Sequence, residues 1–311
     1  MKKVLITGSE GFVGGHLITE MEKNGYEVFG SSFLAPEKNS TNTFLCDITN
    51  DKSISSLVSK IKPDLIFHLA AQTSPHRSWL SPQKTFEVNT IGTINLFDAV
   101  IKIKGYKPRI LLIGSCVEYG DISKEDLPIS EQKSLDPRSP YAISKLACYY
   151  LSLAYIRARN LDIVYSVSFN HTGPNQSTGF LCSDIASQIA LIEEGKQEAV
   201  ISTGYLNNQR DYSDVRDVVR AYRLLLEKGR TGERYNVCSG RAVSTKDIFD
   251  TLTGYSKVKI KHQIDSQRSN PADVQIILGS HDKITKETDW IPEIPLEKTL
   301  RDLLNWYREK R

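Results

Sequence analysis

The chain has 311 residues, 40% hydrophobic and 25% charged, with a formal net charge of +3. That length can bury a large core in one or two domains, and so mild a positive balance gives no footing for nucleic acid while leaving room for a small polyanionic ligand. Five scattered cysteines lack any Cys-x-x-Cys pair, the histidines show no metal-ligand spacing, and no run approaches the ~20 apolar residues of a membrane span, so free thiols, no metal and no membrane are expected.

Met1-Lys2-Lys3 runs straight into an apolar segment, so a cytoplasmic protein without a signal peptide is expected. That segment, Lys3–Thr7, reads as a buried parallel strand, and Gly8, Gly11 and Gly14 follow at once. Gly-x-x-Gly-x-x-Gly at a strand–turn–helix junction suits the phosphates of a dinucleotide. Gly8 permits the tight turn, Gly11 lets backbone approach a pyrophosphate, and Gly14 allows close helix packing. Phe12 and Val13 open a helix whose free N–H groups would face the phosphates.

Further strands are predicted at Glu27–Ser31, Thr43–Cys46, Leu65–Ala70, Ile110–Ser115 and Asp162–Phe169. Helical patterns fall between them at His16–Asn24, Ser53–Ile61, Lys84–Lys102 and Tyr141–Arg159. This alternation predicts an α/β fold, a doubly wound parallel sheet of the Rossmann type. Its ligands bind at the carboxyl ends of the strands, where Gly8, Ala70 and Ser115 gather. The second half is more irregular, with loops at 173–177 and 205–209. A smaller C-terminal substrate lobe is therefore expected, from about 169–206 and 241–311, beside a dinucleotide domain of 1–168 and about 207–240.

The second strand ends Gly30-Ser31-Ser32-Phe33, without the carboxylate that would hold the ribose hydroxyls of NAD. Ser32 could instead meet a 2′-phosphate, so NADP(H) is preferred over NAD(H), with Glu10 in the glycine loop counting the other way.

Tyr141-Ala-Ile-Ser-Lys145 opens the last of these helices, and its Tyr and Lys, four apart, share one face. A phenol titrates near pKa ~10, and an ammonium beside it favours the phenolate. The pair thus suits proton transfer to or from a hydroxyl while hydride moves to or from a nicotinamide.

Together these landmarks resemble the extended short-chain dehydrogenase/reductase family, its nucleotide-sugar branch in particular, over nearly the whole chain. The resemblance implies cofactor contacts from Gly8, Gly11 and Gly14, from Asp47 and Ile48 at the adenine, and from Leu69, Ala70 and Ala71 after His68. It implies another from Asn89 within Val88-Asn89-Thr90-Ile91-Gly92-Thr93. Ser115, Tyr141 and Lys145 match the family's catalytic triad: Tyr141 moves the proton at the sugar O4, Lys145 holds the nicotinamide ribose, and Ser115 bonds the carbonyl oxygen. In the family's dehydratases an acidic or Ser-Glu pair follows the hydroxyl residue. Here Cys116 and Val117 follow, and Glu118 falls one place late, which disfavours elimination.

Two later stretches, from Phe169 to Ser177 and from Arg210 to Asp217, look like those of GDP-4-keto-6-deoxymannose reductases, and GDP-mannose 4,6-dehydratases carry similar segments. They imply a GDP-linked sugar touched by Cys116 and Asn170, with Arg210 on its diphosphate, while Arg216 and Asp217 read as helix-capping residues. A departure follows: where such relatives have Arg-Pro, this chain has Asn270-Pro271, with Arg268 two places earlier as the substitute.

The expected reaction is reduction of a nucleotide-linked 4-keto-6-deoxy sugar. The alternatives are a C4 epimerase or C4 dehydrogenase, for example of a GDP-heptose, and a non-catalytic dinucleotide sensor, against which the intact triad argues. Apolar residues on several faces of Lys84–Lys102 and Tyr141–Arg159, including Leu146, Tyr149, Tyr150 and Leu153, point to a homodimer.

Overall fold

Apolar side chains of the first strand divide between two cores. Leu5 joins one, Val4 and Ile6 the other, as a strand covered on both faces requires. The computed structural model describes residues 1–34, 42–265 and 275–310. In it seven strands form one parallel sheet: β1 (Lys3–Thr7), β2 (Glu27–Ser32), β3 (Thr43–Leu45), β4 (Leu65–His68), β5 (Arg109–Ser115), β6 (Asp162–Ser168) and β7 (Arg234–Val237). The spatial order is β7-β6-β5-β4-β1-β2-β3. Strand order reverses between β1 and β4, and the crevice for a ligand opens there.

Helices Asp51–Ile61 and Gly92–Ile101 bury Leu57, Val58, Leu96 and Phe97 on one face of the sheet. Helices Phe12–Lys23 and Val215–Lys228 bury Leu17, Met21, Val218 and Leu225 on the other. A third core lies in the second half, where helices Leu181–Glu193, Thr245–Gly254 and Leu296–Glu309 pack Ile189, Leu252 and Leu303 together. A small sheet centred on Gln209–Asp214 pairs with Asn170–Thr172, Ala242–Ser244 and Ile276–Ile277. The sheet class expected from sequence is thus the one observed.

Three local expectations need correction. The helix expected over Lys84–Lys102 is broken into Pro82–Phe86, a π-helical turn Glu87–Ile91 and Gly92–Ile101. That turn holds Asn89, whose amide is drawn onto the loop after β4, a common reason for a π-bulge near a functional site. Second, the cap of the Val215–Lys228 helix is Asp214, which accepts from the Arg216 N–H at 2.7 Å; Asp217 instead accepts the backbone N–H groups of Glu293 and Ile294 at 2.9 and 2.8 Å. Third, β7 was not among the expected strands, because Arg234-Tyr-Asn-Val237 is too short and too polar at its start to show a period.

Candidate active site

The glycine loop is shaped by backbone contacts that only glycine allows. Gly8 has φ +70°, and a Cβ there would lie 2.9 Å from the Ala70 nitrogen; at Gly14 it would lie 2.4 Å from the Ser9 carbonyl oxygen. The loop after β4 is tied to β1 by the Leu69 N–H on the Thr7 carbonyl and the Ala70 N–H on Thr7 Oγ1, both 3.2 Å. Thr7 Oγ1 also meets His68 Nδ1 at 2.9 Å, and burial lowers the His68 pKa to about 3, so this imidazole is neutral. Helix Phe12–Lys23 starts at Gly11 with no side chain capping it and no acidic residue in its first turn. An uncapped, positive helix end over a cradle that Cβ atoms would fill fits a dinucleotide's phosphates.

Asp47 and Ile48 lie beyond β3, with Asp47 Oδ1 accepting from the Thr49 N–H and hydroxyl at 2.9 and 2.7 Å. Ile48 packs so closely on Gly92 that a Cβ there would come within 2.7 Å of it. Asn89 is buried and clamps Gln72 twice, accepting from its N–H at 2.8 Å and donating to its carbonyl at 3.1 Å. It also donates to Ser144 Oγ at 2.9 Å, linking the loop that carries Ala70 and Ala71 to the tyrosine's helix.

That helix, Pro140–Arg159, starts with Pro140 in its first turn and Ser139 as N-cap, whose Oγ accepts from the Ala142 N–H at 3.2 Å. It presents Tyr141 and Lys145 to the end of β5, where the Ser115 side chain neighbours the Tyr141 phenol. Burial raises the Tyr141 pKa, and Ser115 opposes the rise. Lys145 Nζ donates to the Ile113 carbonyl at 2.8 Å; burial lowers its pKa, while Cys148 and Glu118 work against the loss. Ser115 thus favours the phenolate in this structure.

Sequence reasoning set Glu118 aside as falling one place late for elimination. Residues Cys116–Tyr119 form a 3₁₀ turn, and Glu118 reaches back as in a capping box to accept from the Ser115 N–H at 2.6 Å. Its Oε1 also accepts from the Tyr165 hydroxyl at 3.0 Å, and that hydroxyl lies 2.9 Å from the Lys145 carbonyl oxygen. One buried carboxylate thus braces the backbone of Ser115 and holds the Tyr165 hydroxyl that neighbours the backbone of Lys145. A lone glutamate in the apolar run Ile113-Gly-Ser-Cys-Val-Glu-Tyr119 was the available signal.

On the substrate side, Cys116 is buried, and burial followed by Asp211 raises its pKa to about 12; Arg210 works in the opposite sense. Arg210 is itself buried, and its Nη1 donates to the carbonyls of Gln209 at 2.9 Å and Gln275 at 3.4 Å. Its neighbour Asp211 does not pair with it but accepts from Ser239, Gly240 and Gly279. Asn170 lies opposite Tyr212 in the small sheet. The structure therefore gathers the triad, the glycine loop, Cys116 and Arg210 around one end of the sheet, while Arg268 lies outside the described residues.

A Rossmann sheet with this loop and a Ser–Tyr–Lys set defines a short-chain dehydrogenase/reductase of the extended, nucleotide-sugar type. The chain belongs to the family described as GDP-mannose 4,6 dehydratase, whose profile matches residues 5–303. It is 32% identical to the GDP-6-deoxy-D-mannose reductase of Pseudomonas aeruginosa over 98% of this chain and 96% of that one. Its fold is similar to that of RMD from Pseudomonas aeruginosa complexed with NADPH, with a TM-score of 0.89, 31% identity and both chains fully covered. A UDP-glucose 4-epimerase from Thermotoga maritima, solved with UDP-glucose, is 27% identical with a TM-score of 0.87 and covers 99% of each chain. The protein is accordingly a nicotinamide-dinucleotide enzyme of nucleotide-sugar metabolism.

Proposed function

We propose that this enzyme reduces the C4 keto group of a nucleotide-linked 4-keto-6-deoxy sugar, GDP-4-keto-6-deoxymannose above all, giving GDP-D-rhamnose or its C4 epimer in the cytoplasm. The observation that carries this reading is an assembled Ser115–Tyr141–Lys145 set beside which the one neighbouring carboxylate, Glu118, is wholly buried rather than open to the cleft. Cys116 is held as a buried thiol, Val117 has no proton to exchange, and Glu118 is wholly buried with Oε1 engaged. Elimination of the C6 hydroxyl lacks its acid and base; carbonyl reduction does not need them.

In this reading the reduced nicotinamide supplies the hydride for C4. Tyr141 gives its phenolic proton to O4, and Ser115 donates a hydrogen bond to the same oxygen as negative charge grows there. Lys145 holds the nicotinamide ribose, and its ammonium charge favours the phenolate that Tyr141 becomes once its proton is given up, which makes the tyrosine a better donor. Arg210 offers a planar fork of donors to the diphosphate and Asn170 a polar contact to the sugar. The lobe built around the third core carries the nucleotide sugar, and residues 1–168 with about 207–240 carry the coenzyme.

Absorbance loss of NADH and NADPH with GDP-4-keto-6-deoxymannose, beside GDP-mannose as a dehydration control, tests the proposal. Stoichiometric consumption with a single 4-hydroxy product is the expected result. Dehydration of GDP-mannose, or an oxidised coenzyme retained through purification with no consumption, would move the assignment to a dehydratase or to a C4 epimerase or dehydrogenase.

A further inference from the structure

The absence of a carboxylate at the end of β2 pointed to NADP(H), yet the fold brings one there from another element. The glycine loop lies against the end of β2: the Ser9 N–H and hydroxyl donate to the Ser31 carbonyl at 3.0 and 3.2 Å. A Cβ on Gly30 would come within 2.4 Å of Ser9 Oγ, so strand and loop are in contact. Glu10, next in the loop, therefore sits beside Ser32. The buried Ser32 hydroxyl donates to the Glu10 carboxylate, and Ser32 Oγ is itself held by the Leu34 N–H at 3.1 Å. Ser32 thus fixes one side of the carboxylate while Glu10 stays exposed.

In sheets of this topology the end of the second strand is where the ribose of the adenosine half lies. A carboxylate can only accept there. A 2′-hydroxyl donates to it, whereas a 2′-phosphate only accepts and brings about two negative charges. Among the described residues from Gly30 to Leu45, which are 30–34 and 42–45, none is charged, so none of them offsets the clash. We propose that Glu10, fixed by Ser32, is the residue that selects the coenzyme, accepting the ribose 2′-hydroxyl of NADH and turning away the 2′-phosphate of NADPH. The proposal rests on the cleft being a nicotinamide-dinucleotide site, and it replaces the preference read from β2 alone.

Binding, free of any sugar substrate, tests it. Full-length protein stripped of nucleotide is titrated calorimetrically with NADH and with NADPH, as wild type, Glu10→Gln and Ser32→Ala. Wild type should bind NADH about tenfold or more tightly than NADPH at low salt, with the gap narrowing as salt screens the repulsion. Glu10→Gln, which keeps an acceptor without the charge, should hold NADH within a few-fold and raise NADPH affinity about tenfold. Ser32→Ala should lose part of the discrimination. NADPH binding as tightly as NADH to wild type, or an unchanged ratio in Glu10→Gln, would overturn the role of Glu10 and leave the site intact. Binding of neither coenzyme would overturn the site and this proposal together.

Discussion

At the scale of single residues, two side chains near the cleft make opposite demands on charge. Tyr141→Phe removes the transferable proton and keeps the ring's packing. Turnover should fall roughly 10²–10⁴-fold while coenzyme affinity, read by calorimetry, stays within a few-fold. Full activity would remove Tyr141 from the mechanism. Glu118 is the second. Burial raises its pKa from 4.5 to about 7, against the hydrogen bonds from Ser115 and Tyr165, so the fold penalises its ionised form. Its stabilising share is then complete below the unfolded value of 4.5 and is lost as pH rises through about 7. The loss is on the order of 3 kcal/mol across that window. Glu118→Gln keeps an acceptor and removes the titration. Its urea midpoint should gain on wild type steadily from pH 5 to pH 8; a difference independent of pH would show that Glu118 does not titrate there.

At the scale of elements, the fit of helix Phe12–Lys23 onto the glycine loop is the tightest joint. The Ser9 carbonyl that a Cβ at Gly14 would strike belongs to backbone and cannot swing aside. Gly14→Ala should therefore push the helix N-terminus off the loop, costing about 1–3 kcal/mol and weakening both NADH and NADPH, measured by thermal unfolding and titration. The π-turn makes a related point. Asn89 was legible in sequence as part of the site, but its work is to hold Gln72 and Ser144, which only the folded chain could show. Tyr141 and Lys145 were legible because spacing puts them on one helical face, and Ser115 only through the family resemblance. Glu118 was not, because a 3₁₀ turn redirected it.

At the scale of the whole molecule, apolar side chains remain uncovered on three neighbouring helical segments, Pro75–Leu80, Glu87–Ile91 and Pro140–Arg159. Trp79 and Leu80 are 65% and 74% exposed, and Ile91, Ile143 and Tyr150 are 46%, 45% and 58% exposed. Tyr149, expected to share that surface, instead packs inward with its ring centroid 5.0 Å from that of Tyr165. The homodimer expected from the sequence would cover this face. Tyr150→Arg changes a side chain already in solvent, so it should spare the fold and shift sedimentation toward the monomer; an unchanged dimer would place the interface elsewhere.

What the sequence determined by itself was whatever depends on local period and local chemistry. Alternating strands and helices, glycines at a strand end and a Tyr–Lys pair on one helical face carry their meaning within a few residues. What the tertiary structure decided was which distant residues share a space. β7 gains its identity only by pairing with β6, and Asp211 its role only by meeting Ser239, Gly240 and Gly279. The end of β2 acquires its carboxylate from Glu10, 22 residues from Ser32 in sequence. Charge acts through space, and sequence order records distance only along the chain.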